Sequence, residues 1–509
     1  MEKVRRISFR ARATLKLSKP LKEEKRNELS NWIKLRAGEL LSKGTRIKEE
    51  AAKVENFEVF DNKIILEISS GRSVRPHDAL ARLRKAIGEE LGKKLGVGVR
   101  EIQIEDYEII FEGSNFRKIN LPFTKEITSN ENEVRVKLNL TEKEIYSQVP
   151  DRIVKLFLEK QQEVPTGKEI HEVRWSSQQK LHKYNVDPSL ELVKRGWVKR
   201  FDQGIWYYMP PFAALMRTME KIIVEEIAVP NGFVEAYFPK LITLEVMRKK
   251  GQLYGIPNEM FYVCEPISRD ASYFEDYMDK VKVTNETLPT ELLGKLKPPT
   301  YALPYAQCEP FYEIFSGEIV DVDQGPIKLF DRSGFSFRYE SGGLTGLERL
   351  NAFNRIEITY LGTPEQVVEI RDKLVDSYQR VLDKTLDLEV RTVEVTPVWM
   401  AHAGVTSDVQ RNVPATLDFE VYLPYRGERE TSEWLEVGNA SVHFDKYMQW
   451  YNVKEKKERE VWTGCSGNGL ERWVVSLLAN HGFNPEDWPK EFRKYLEKLP
   501  ENIKLVTWP

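Results

Sequence analysis

FSFRYESGGLTGLERLNAFNRIEITY, residues 335–360, is the stretch that decides the fold. Its two ends, 335–340 and 352–360, have the alternating, strand-like composition of β-structure. Three glycines lie between them and indicate a turn: Gly342, Gly343 and Gly346. The stretch therefore predicts a β-hairpin whose two arms run antiparallel.

This hairpin places charged side chains on one face of the predicted sheet. Because side chains alternate along a strand, Arg338 and Glu340 share a face of the first arm. By the same rule, Phe353, Arg355 and Glu357 share a face of the second arm. Burying two arginines and two carboxylates against other protein would be very costly. We therefore expect this face to line a polar cleft.

A second segment with ligand-binding character, CSGNGLERW, lies at 465–473. Gly467 and Gly469 allow the backbone to approach a ligand closely, and residues 470–472 open a helix. Arg472 then lies near a helix N-terminus, where an arginine can hold a phosphate through two hydrogen bonds. Alone, the pattern is equally that of an ordinary strand–helix connection, but together with the hairpin it favours a phosphate site.

The chain has 509 residues, a length that predicts two or three domains. We assign residues 1–165 to an N-terminal domain, 166–190 to a linker and 191–509 to a larger domain. The N-terminal domain mixes strand-like runs with charged helical stretches, so an α+β fold is predicted. Its strand-like runs are 7–18, 57–69 and 133–140, and its helical stretches are 21–52 and 78–96.

Two helices and a strand stand out in the larger domain. Residues 364–387 form an amphipathic helix. The segment 216–232 predicts a helix that ends before its Pro230 and Gly232. A strand, FVEAYFPKLI at 233–242, is predicted to follow it.

The net charge of −2 conceals an asymmetry. Residues 1–160 carry 34 Lys and Arg against 26 Asp and Glu, so the rest of the chain is acidic. A basic domain suggests an anionic partner, with nucleic acid the leading candidate, although a solvated charged surface fits the charge equally well. The candidate contacts are Arg5, Arg6, Arg10, Arg12, Lys16 and the helix 79–94.

Three widely spaced cysteines exclude a disulfide framework and suit a reducing compartment. No apolar run approaches the ~18 residues of a membrane span, and the basic N-terminus lacks the apolar core of a secretion signal. We therefore expect a soluble cytoplasmic protein that does not enter a membrane.

The segments together resemble the class II aminoacyl-tRNA synthetases. The hairpin is similar to their motif 2 and residues 467–472 to their motif 3. Residues 217–240, a helix leading through Gly232 to a strand with Pro239, are similar to motif 1. The resemblance implies an antiparallel sheet flanked by helices, an ATP-dependent ligase and a homodimer built on motif 1.

The finer resemblance is to the seryl-tRNA synthetases of methanogenic archaea, which hold a zinc ion with two cysteines and a glutamate. Cys308, Glu357 and Cys465 match this set. Two thiolates and a carboxylate are acceptable zinc ligands, and three protein ligands leave one position open for a substrate group. Spacing alone favours two inert buried cysteines, but both cysteines flank motif residues, which favours zinc. Cys264 lacks such support and is predicted to be structural.

The resemblance also implies the roles of the site residues. Arg338 and Arg472 are the predicted catalytic residues. The predicted ATP-binding residues are Arg338, Tyr339, Glu340, Arg349, Leu350, Phe353, Glu436 and Arg472. The predicted serine-binding residues are Ala306, Arg338, Arg355, Ile356, Glu357, Asn439 and Ser441. Magnesium is expected with ATP, near Glu436.

Glu436 lies on the strand-like segment 433–444, where its parity is opposite to that of Asn439 and Ser441. A bulge or a loop is therefore required if all three are to face one site. The polar stretch 399–414 is either a lid over the serine or a plain surface loop.

Two other functions remain open at this point. Related shorter proteins attach an amino acid to a carrier protein, but they lack an N-terminal tRNA domain of the kind implied here. A non-catalytic RNA-binding relative would have lost motif residues, and here they are present. The expected activity is therefore the attachment of serine to its tRNA, through seryl-adenylate.

Overall fold

The computed structural model describes residues 4–43, 45, 47, 50–161, 170–182, 184–340, 343–396 and 413–504. The chain forms two compact units, Met1–Thr166 and Gly167–Pro509. Each unit contains its own hydrophobic core.

The first unit is a six-stranded antiparallel sheet with helices packed on it. Its strands are β1 (Val4–Leu17), β2 (Lys53–Val59), β3 (Lys63–Ser70), β4 (Val99–Gly113), β5 (Thr124–Ser129) and β6 (Glu133–Leu138). Its helices are α1 (Glu23–Ser42), α2 (Pro76–Ala86), α3 (Gly92–Leu95), α4 (Glu142–Tyr146) and α5 (Val149–Gln161). The strand order is β2-β3-β1-β4-β6-β5, and a π-helical turn, Ile87–Leu91, joins α2 to α3.

The predicted strands at 7–18 and 133–140 are confirmed, but two other predictions for this unit are wrong. The run 57–69 is a hairpin, β2 and β3, because Phe60 N donates to Lys63 O at 2.8 Å and closes a turn at 60–63. The helix predicted to extend to residue 52 ends at Ser42. Strand β4 was not predicted, although its sequence alternates apolar with charged residues.

In its described residues, the second unit contains an eight-stranded sheet and three small sheets of two or three strands. Its strands are β7 (His171–Ser176), β8 (Val198–Asp202), β9 (Ile205–Tyr208), β10 (Val234–Glu235), β11 (Ile242–Thr243), β12 (Tyr262–Val263), β13 (Tyr301–Ala302), β14 (Ile319–Val320), β15 (Ile327–Phe337), β16 (Ala352–Gly362), β17 (Val390–Val395), β18 (Thr416–Val421), β19 (Leu435–Phe444), β20 (Lys454–Glu455) and β21 (Trp462–Gly469). The order in the large sheet is β10-β15-β16-β21-β19-β18-β17-β7, antiparallel except for the β10–β15 pair.

The α-helices of this unit follow and connect these strands. They are α6 (Pro188–Lys194), α7 (Pro210–Ile222), α8 (Leu244–Lys250), α9 (Gln252–Gly255), α10 (Glu275–Thr284), α11 (Pro289–Leu293), α12 (Glu309–Glu313), α13 (Pro364–Arg380), α14 (Lys446–Trp450), α15 (Leu470–His481) and α16 (Lys490–Arg493). Apolar side chains of α7, α13 and α15 join those of the central strands in one large core. The opposite face of the central strands is left for polar residues.

The hairpin predicted at 335–360 is confirmed, with a longer first arm. Strand β15 begins at Ile327 and ends at Phe337, one residue before Arg338. The Arg338 backbone N–H still donates to Asn351 O at 2.9 Å, so the ladder extends to this residue without the regular strand. Glu340 then lies in the connection.

The helix at 364–387 is confirmed as α13 and a π-helical turn that continues it through Val381–Thr385. The helix before Gly232 is confirmed too, and Gly232 ends it with a φ of 78° that suits glycine. The long strand expected at 233–242 is wrong, because only β10 pairs with the sheet. The Phe238 N–H donates to the Asp331 carboxylate at 3.2 Å, and Pro239 has no N–H to donate.

The segment 166–190 is only partly a linker. Strand β7 lies within it and pairs with β17 at the edge of the large sheet. Among the described residues, no helix is long and apolar enough to cross a membrane.

Candidate active site

The polar residues of the hairpin and of the 465–473 segment meet on one face of the large sheet. Strands β16, β21 and β19 are neighbours there, and their register sets Glu357 opposite Gly467 and Cys465 opposite Ser441. Because these positions share parity, their side chains project to the same side. Residues distant in sequence are thus brought together by strand pairing.

Two adjoining cavities open on this face. The first is lined by six of the predicted ATP-binding residues: Arg338, Glu340, Leu350, Phe353, Glu436 and Arg472. The second, of about 320 Å³, is lined by predicted serine-binding and metal residues: Ala306, Cys308, Arg338, Arg355, Asn439, Ser441 and Cys465. Its volume is at the small end of the range for ligand pockets, as suits a small substrate.

Arg338 lies at the border of the two cavities and lines both. Its guanidinium group lies 4.4 Å from the ring centre of Tyr305 and 5.4 Å from that of Phe353. Its Nε donates to the Tyr305 carbonyl oxygen at 3.3 Å. Stacking and this hydrogen bond orient a planar cation, an arrangement that lysine cannot reproduce.

Arg472 opens α15, as the sequence predicted, and Glu436 lies beside it. Arg472 Nη1 donates to the Glu436 carbonyl oxygen at 2.9 Å and to its carboxylate at 3.0 Å. Strand β19 has a β-bulge at Val437. In its pairing with β18, Phe419 lies opposite Gly438 and Glu420 lies opposite Glu436, so Val437 has no partner in that pairing. The bulge required by the parity of Glu436 is present, and it brings Glu436 to the same cavity as Asn439 and Ser441.

Four of the predicted site residues do not line these two cavities, and one of them, Glu357, is fully buried. The Tyr339 side chain is 59% exposed and contacts Phe261 edge to face. Arg349 lines a neighbouring cavity and pairs with Glu433 at 3.0 Å. Ile356 packs in the hydrophobic core, because the alternation that directs Arg355 and Glu357 to the cavity side of the sheet directs it to the other face. Its side chain therefore does not face the cavity.

Gly342 and residues 399–412 of the predicted lid, 399–414, lie outside the described residues. The structure therefore does not describe the middle of the glycine turn. Of the predicted lid, it describes the last two residues.

Cys308, Glu357 and Cys465 form a buried cluster that could hold a metal ion. One ligand atom from each lies within 4.8 Å of the other two. Glu357 Oε2 accepts a hydrogen bond from Arg355 Nε at 2.6 Å, whereas Oε1 is buried without a hydrogen-bond partner among the described residues. A buried oxygen of this kind is costly unless something binds it, and a cation between the thiols and the carboxylate would do so. The donor set of two thiols and one carboxylate matches a zinc site with an open position.

The protonation of this cluster follows from the hydrogen bond between its two thiols and from the burial of its carboxyl group. A hydrogen bond from the Cys465 thiol lowers the pKa of Cys308, and the same bond raises the pKa of Cys465 well above its ordinary value. Burial raises the pKa of Glu357 well above that of a free carboxyl group. A metal ion that binds here therefore displaces protons.

Two acidic residues near the cavity were not predicted from the sequence. Asp418 of β18 lines the second cavity, and burial together with Glu436 raises its pKa well above the ordinary value. Glu309 is fully buried and accepts hydrogen bonds from Ala306 N at 2.8 Å and Gln252 Nε2 at 2.9 Å, which fixes the loop before Cys308. Neither residue belongs to a motif that marks it in the sequence.

The basic candidates of the first unit lie mainly on β1. Arg10, Arg12 and Lys16 are exposed at alternate positions of the strand, while the residues between them are buried. Lys16 pairs with Glu101 at 3.0 Å and Arg12 with Glu105 at 3.6 Å. The predicted helix 79–94 corresponds to α2, the π-helical turn and α3.

Comparison with known proteins identifies the family. A family model described as tRNA-binding domain matches residues 7–159, and one described as tRNA synthetase class II core domain (G, H, P, S and T) matches residues 297–481. The chain is 40% identical over 472 residues to the type-2 serine–tRNA ligase of Methanococcoides burtonii, covering 92% of this chain and 93% of that protein. The chain belongs to the type-2 serine–tRNA ligases.

Other members agree over the full length. The type-2 serine–tRNA ligase of Methanothrix thermoacetophila is 37% identical over 508 residues, which cover 98% of this chain and 100% of that one. A solved structure of Methanopyrus kandleri SerRS in complex with Aquifex aeolicus tRNASec matches with a TM-score of 0.87 at 35% identity, covering 99% of this chain and 100% of that chain. The predicted family, fold class and enzyme class are thereby confirmed. The carrier-protein alternative is not favoured, because the type-2 serine–tRNA ligases match the N-terminal unit as well.

Proposed function

We propose that this type-2 serine–tRNA ligase forms seryl-adenylate from L-serine and ATP in its two adjoining cavities and then transfers the serine to tRNA(Ser). The attachment of serine to tRNA follows from family membership; the assignment of residues is the proposal. The observation that carries it is the position of Arg338, which lines both cavities. A single cation there can contact both reactants.

In the first step, a carboxylate oxygen of serine forms a bond to the α-phosphorus of ATP, and the bond to the β-phosphate oxygen breaks. Pyrophosphate leaves, and no proton transfer is required. The protein therefore needs to orient the reactants and to neutralise charge on the phosphates. Arg338 would contact the serine carboxylate and the α-phosphate, and Arg472 an outer phosphate.

The remaining residues of the first cavity suit the nucleotide. The Phe353 ring offers a flat surface on which adenine can stack, and the Glu340 carboxylate can accept a hydrogen bond from the adenine amino group. Arg349, from the neighbouring cavity, is within the same region and would hold the outer phosphates. Glu436 would bind the magnesium ion that accompanies ATP, after release from Arg472.

The second cavity suits serine and a zinc ion. Cys308, Glu357 and Cys465 would hold the ion, and two thiols favour zinc over magnesium. When bound, zinc would supply an open coordination position for the neutral amino group of serine. Asn439 and Ser441 line the same cavity and would hydrogen-bond the serine hydroxyl.

Transfer of the serine requires the tRNA, which we assign to the first unit. The exposed basic side chains of β1 suit contacts with phosphates, and such contacts make binding weaken steeply as salt increases. The match of residues 7–159 to a tRNA-binding domain supports this assignment. A cytoplasmic location is part of the same proposal.

A homodimer is proposed as well, built on the segment after α7. Four large apolar side chains are exposed there: Val229, Val234, Tyr237 and Leu241. Apolar side chains clustered along one exposed segment indicate an interface. A molar mass of two chains, measured by light scattering after size exclusion, is the expected result, and a monomer would contradict it.

ATP–pyrophosphate exchange measured separately with serine, threonine and alanine tests the activation step. Exchange is expected with serine and not with alanine, because a pocket that hydrogen-bonds a hydroxyl group strongly rejects a ligand without one. Exchange with another amino acid and none with serine would contradict the proposal. Charging of tRNA(Ser) by the same preparation tests the transfer step.

A further inference from the structure

The last residue of α8, Lys250, is buried although it carries a charge. Its side chain is 4% exposed. Lysine is almost never buried to this extent without a charge partner, because removing an ammonium group from water is very costly. The partner must therefore lie among the groups that surround it.

The ammonium group of Lys250 lies against the proposed metal cluster. Its Nζ is 3.3 Å from Cys308 Sγ, within the range of a hydrogen bond to sulfur. It also lies 4.0 Å from the ring centre of Tyr447 and 4.1 Å from that of Tyr312, so two aromatic faces hold it in place. The position of the cation is thus set from three sides.

The other two ligands each have a buried nitrogen neighbour as well. Arg355 Nε donates to Glu357 at 2.6 Å, and His443 Nε2 lies 3.5 Å from Cys465 Sγ. His443 Nδ1 lies 3.2 Å from the hydroxyl of Tyr312, which can donate to it and so leave the proton on Nε2. Every member of the cluster therefore has one buried nitrogen beside it.

We propose that Lys250 is a positioning residue of the metal centre, which donates a hydrogen bond to the Cys308 thiolate and offsets its charge. The inference rests on the proposed function, because it requires a divalent ion at the cluster. Two thiolates, a carboxylate and a divalent ion carry one net negative charge in the protein interior. Lys250 and Arg355 lie against two of the ligands and offset that charge, whereas the carboxylate of bound serine is assigned to Arg338. Partners of this kind orient ligands and commonly change metal affinity when they are removed.

The neighbouring residue provides a matched control. Lys249 precedes Lys250 on α8 but turns away from the cluster, where its Nζ pairs with Glu313 at 2.9 Å. Lys249→Met therefore removes a lysine of the same helix turn without touching the metal ligands. Lys250→Met removes the charge and the donor but retains a side chain of similar length.

The experiment measures metal binding to the full-length wild type, Lys250→Met and Lys249→Met. Zinc affinity is measured by competition with a chromophoric chelator, and Co²⁺ is used to observe the thiolate-to-cobalt absorption band. Lys250→Met is expected to bind zinc about 10- to 100-fold more weakly. Its cobalt band is expected to move to longer wavelength, because a thiolate without its hydrogen bond gives up electron density more readily. Lys249→Met should match the wild type in both.

Unchanged zinc affinity and an unchanged band in Lys250→Met would overturn the inference, as would weaker serine binding with normal zinc binding. If Lys250→Met does not fold, zinc binding is measured in Lys250→Arg, which keeps a positive charge and hydrogen-bond donors at this position. Zinc retained by Lys250→Arg supports the inference, and zinc lost from a folded Lys250→Arg overturns it. A wild type that binds neither ion would overturn the zinc proposal itself. If the wild type binds zinc and Lys250→Met binds it equally well, only the role of Lys250 is overturned.

Discussion

Gly467 lies opposite Glu357 in the sheet, and the buried guanidinium group of Arg355 occupies the space beside it. A Cβ atom at position 467 would overlap Nη2 and Cζ of Arg355. Gly467→Ala therefore cannot be accommodated by a small shift. Arg355 must leave its place, and Glu357 then loses the hydrogen bond from Nε.

The magnitude follows from the burial of this pair. Removing one partner of a buried ion pair costs about 3–5 kcal/mol, because the other charge is left uncompensated. Part of this cost is avoided if Glu357 takes up a proton, which its burial already favours. We expect Gly467→Ala to destabilise the second unit by about 3 kcal/mol, in the lower part of that range.

Denaturant unfolding followed by tryptophan fluorescence measures this effect. Ten of the 11 tryptophans follow residue 166, so the signal reports mainly on the second unit. Gly469→Ala is the control, since its nearest neighbour, Phe353 Cδ2, would be 3.8 Å from the new Cβ, an ordinary contact. The midpoint of Gly467→Ala should fall well below those of the wild type and Gly469→Ala. Equal midpoints for the two alanine variants would refute the reasoning.

Three further predictions concern single residues. Cys465→Ala should reduce zinc from about one ion per chain to none by metal analysis, with Cys264→Ala as wild type; retention of zinc in Cys465→Ala would exclude the cluster as its site. Arg338→Lys should lower ATP–pyrophosphate exchange by about 100-fold, because lysine cannot replace the stacked, two-pronged guanidinium group; exchange at the wild-type rate would contradict its assigned role. Burial lowers the pKa of His77, so the unfolded chain binds a proton near pH 6.5 that the folded chain does not, and the first unit should lose stability as the pH falls below that value. Thermal unfolding of His77→Leu should show a weaker pH dependence, and an identical one would assign the effect to other groups.

Local patterns in the sequence predicted the centre of the site. The hairpin, the helix opened by Arg472 and the shared face of Arg355 and Glu357 follow from alternation and glycine placement within short segments. The bulge beside Glu436 was inferred because three residues with conflicting parity had to face one site. Each of these inferences needs only the geometry of one strand pair.

Features set by distant parts of the chain were not predicted from residues alone. Cys308 is separated from Cys465 by 156 residues in the sequence, and only the family resemblance joined them. Lys250 looks like any basic residue at the end of a short helix, and its burial depends on α8 packing against α14. Strand β7 was not recognised in a polar stretch because an edge strand that is exposed along most of its length need not be apolar.

The sharing of Arg338 between the two cavities has a thermodynamic consequence. A ligand in either cavity that fixes the guanidinium group removes a cost that the second ligand would otherwise bear. The affinities for ATP and serine are then linked, and each ligand must raise the affinity for the other by the same factor. The order in which the two bind would change the rates but not this factor, to which Arg355 and Glu436 also contribute because they line both cavities.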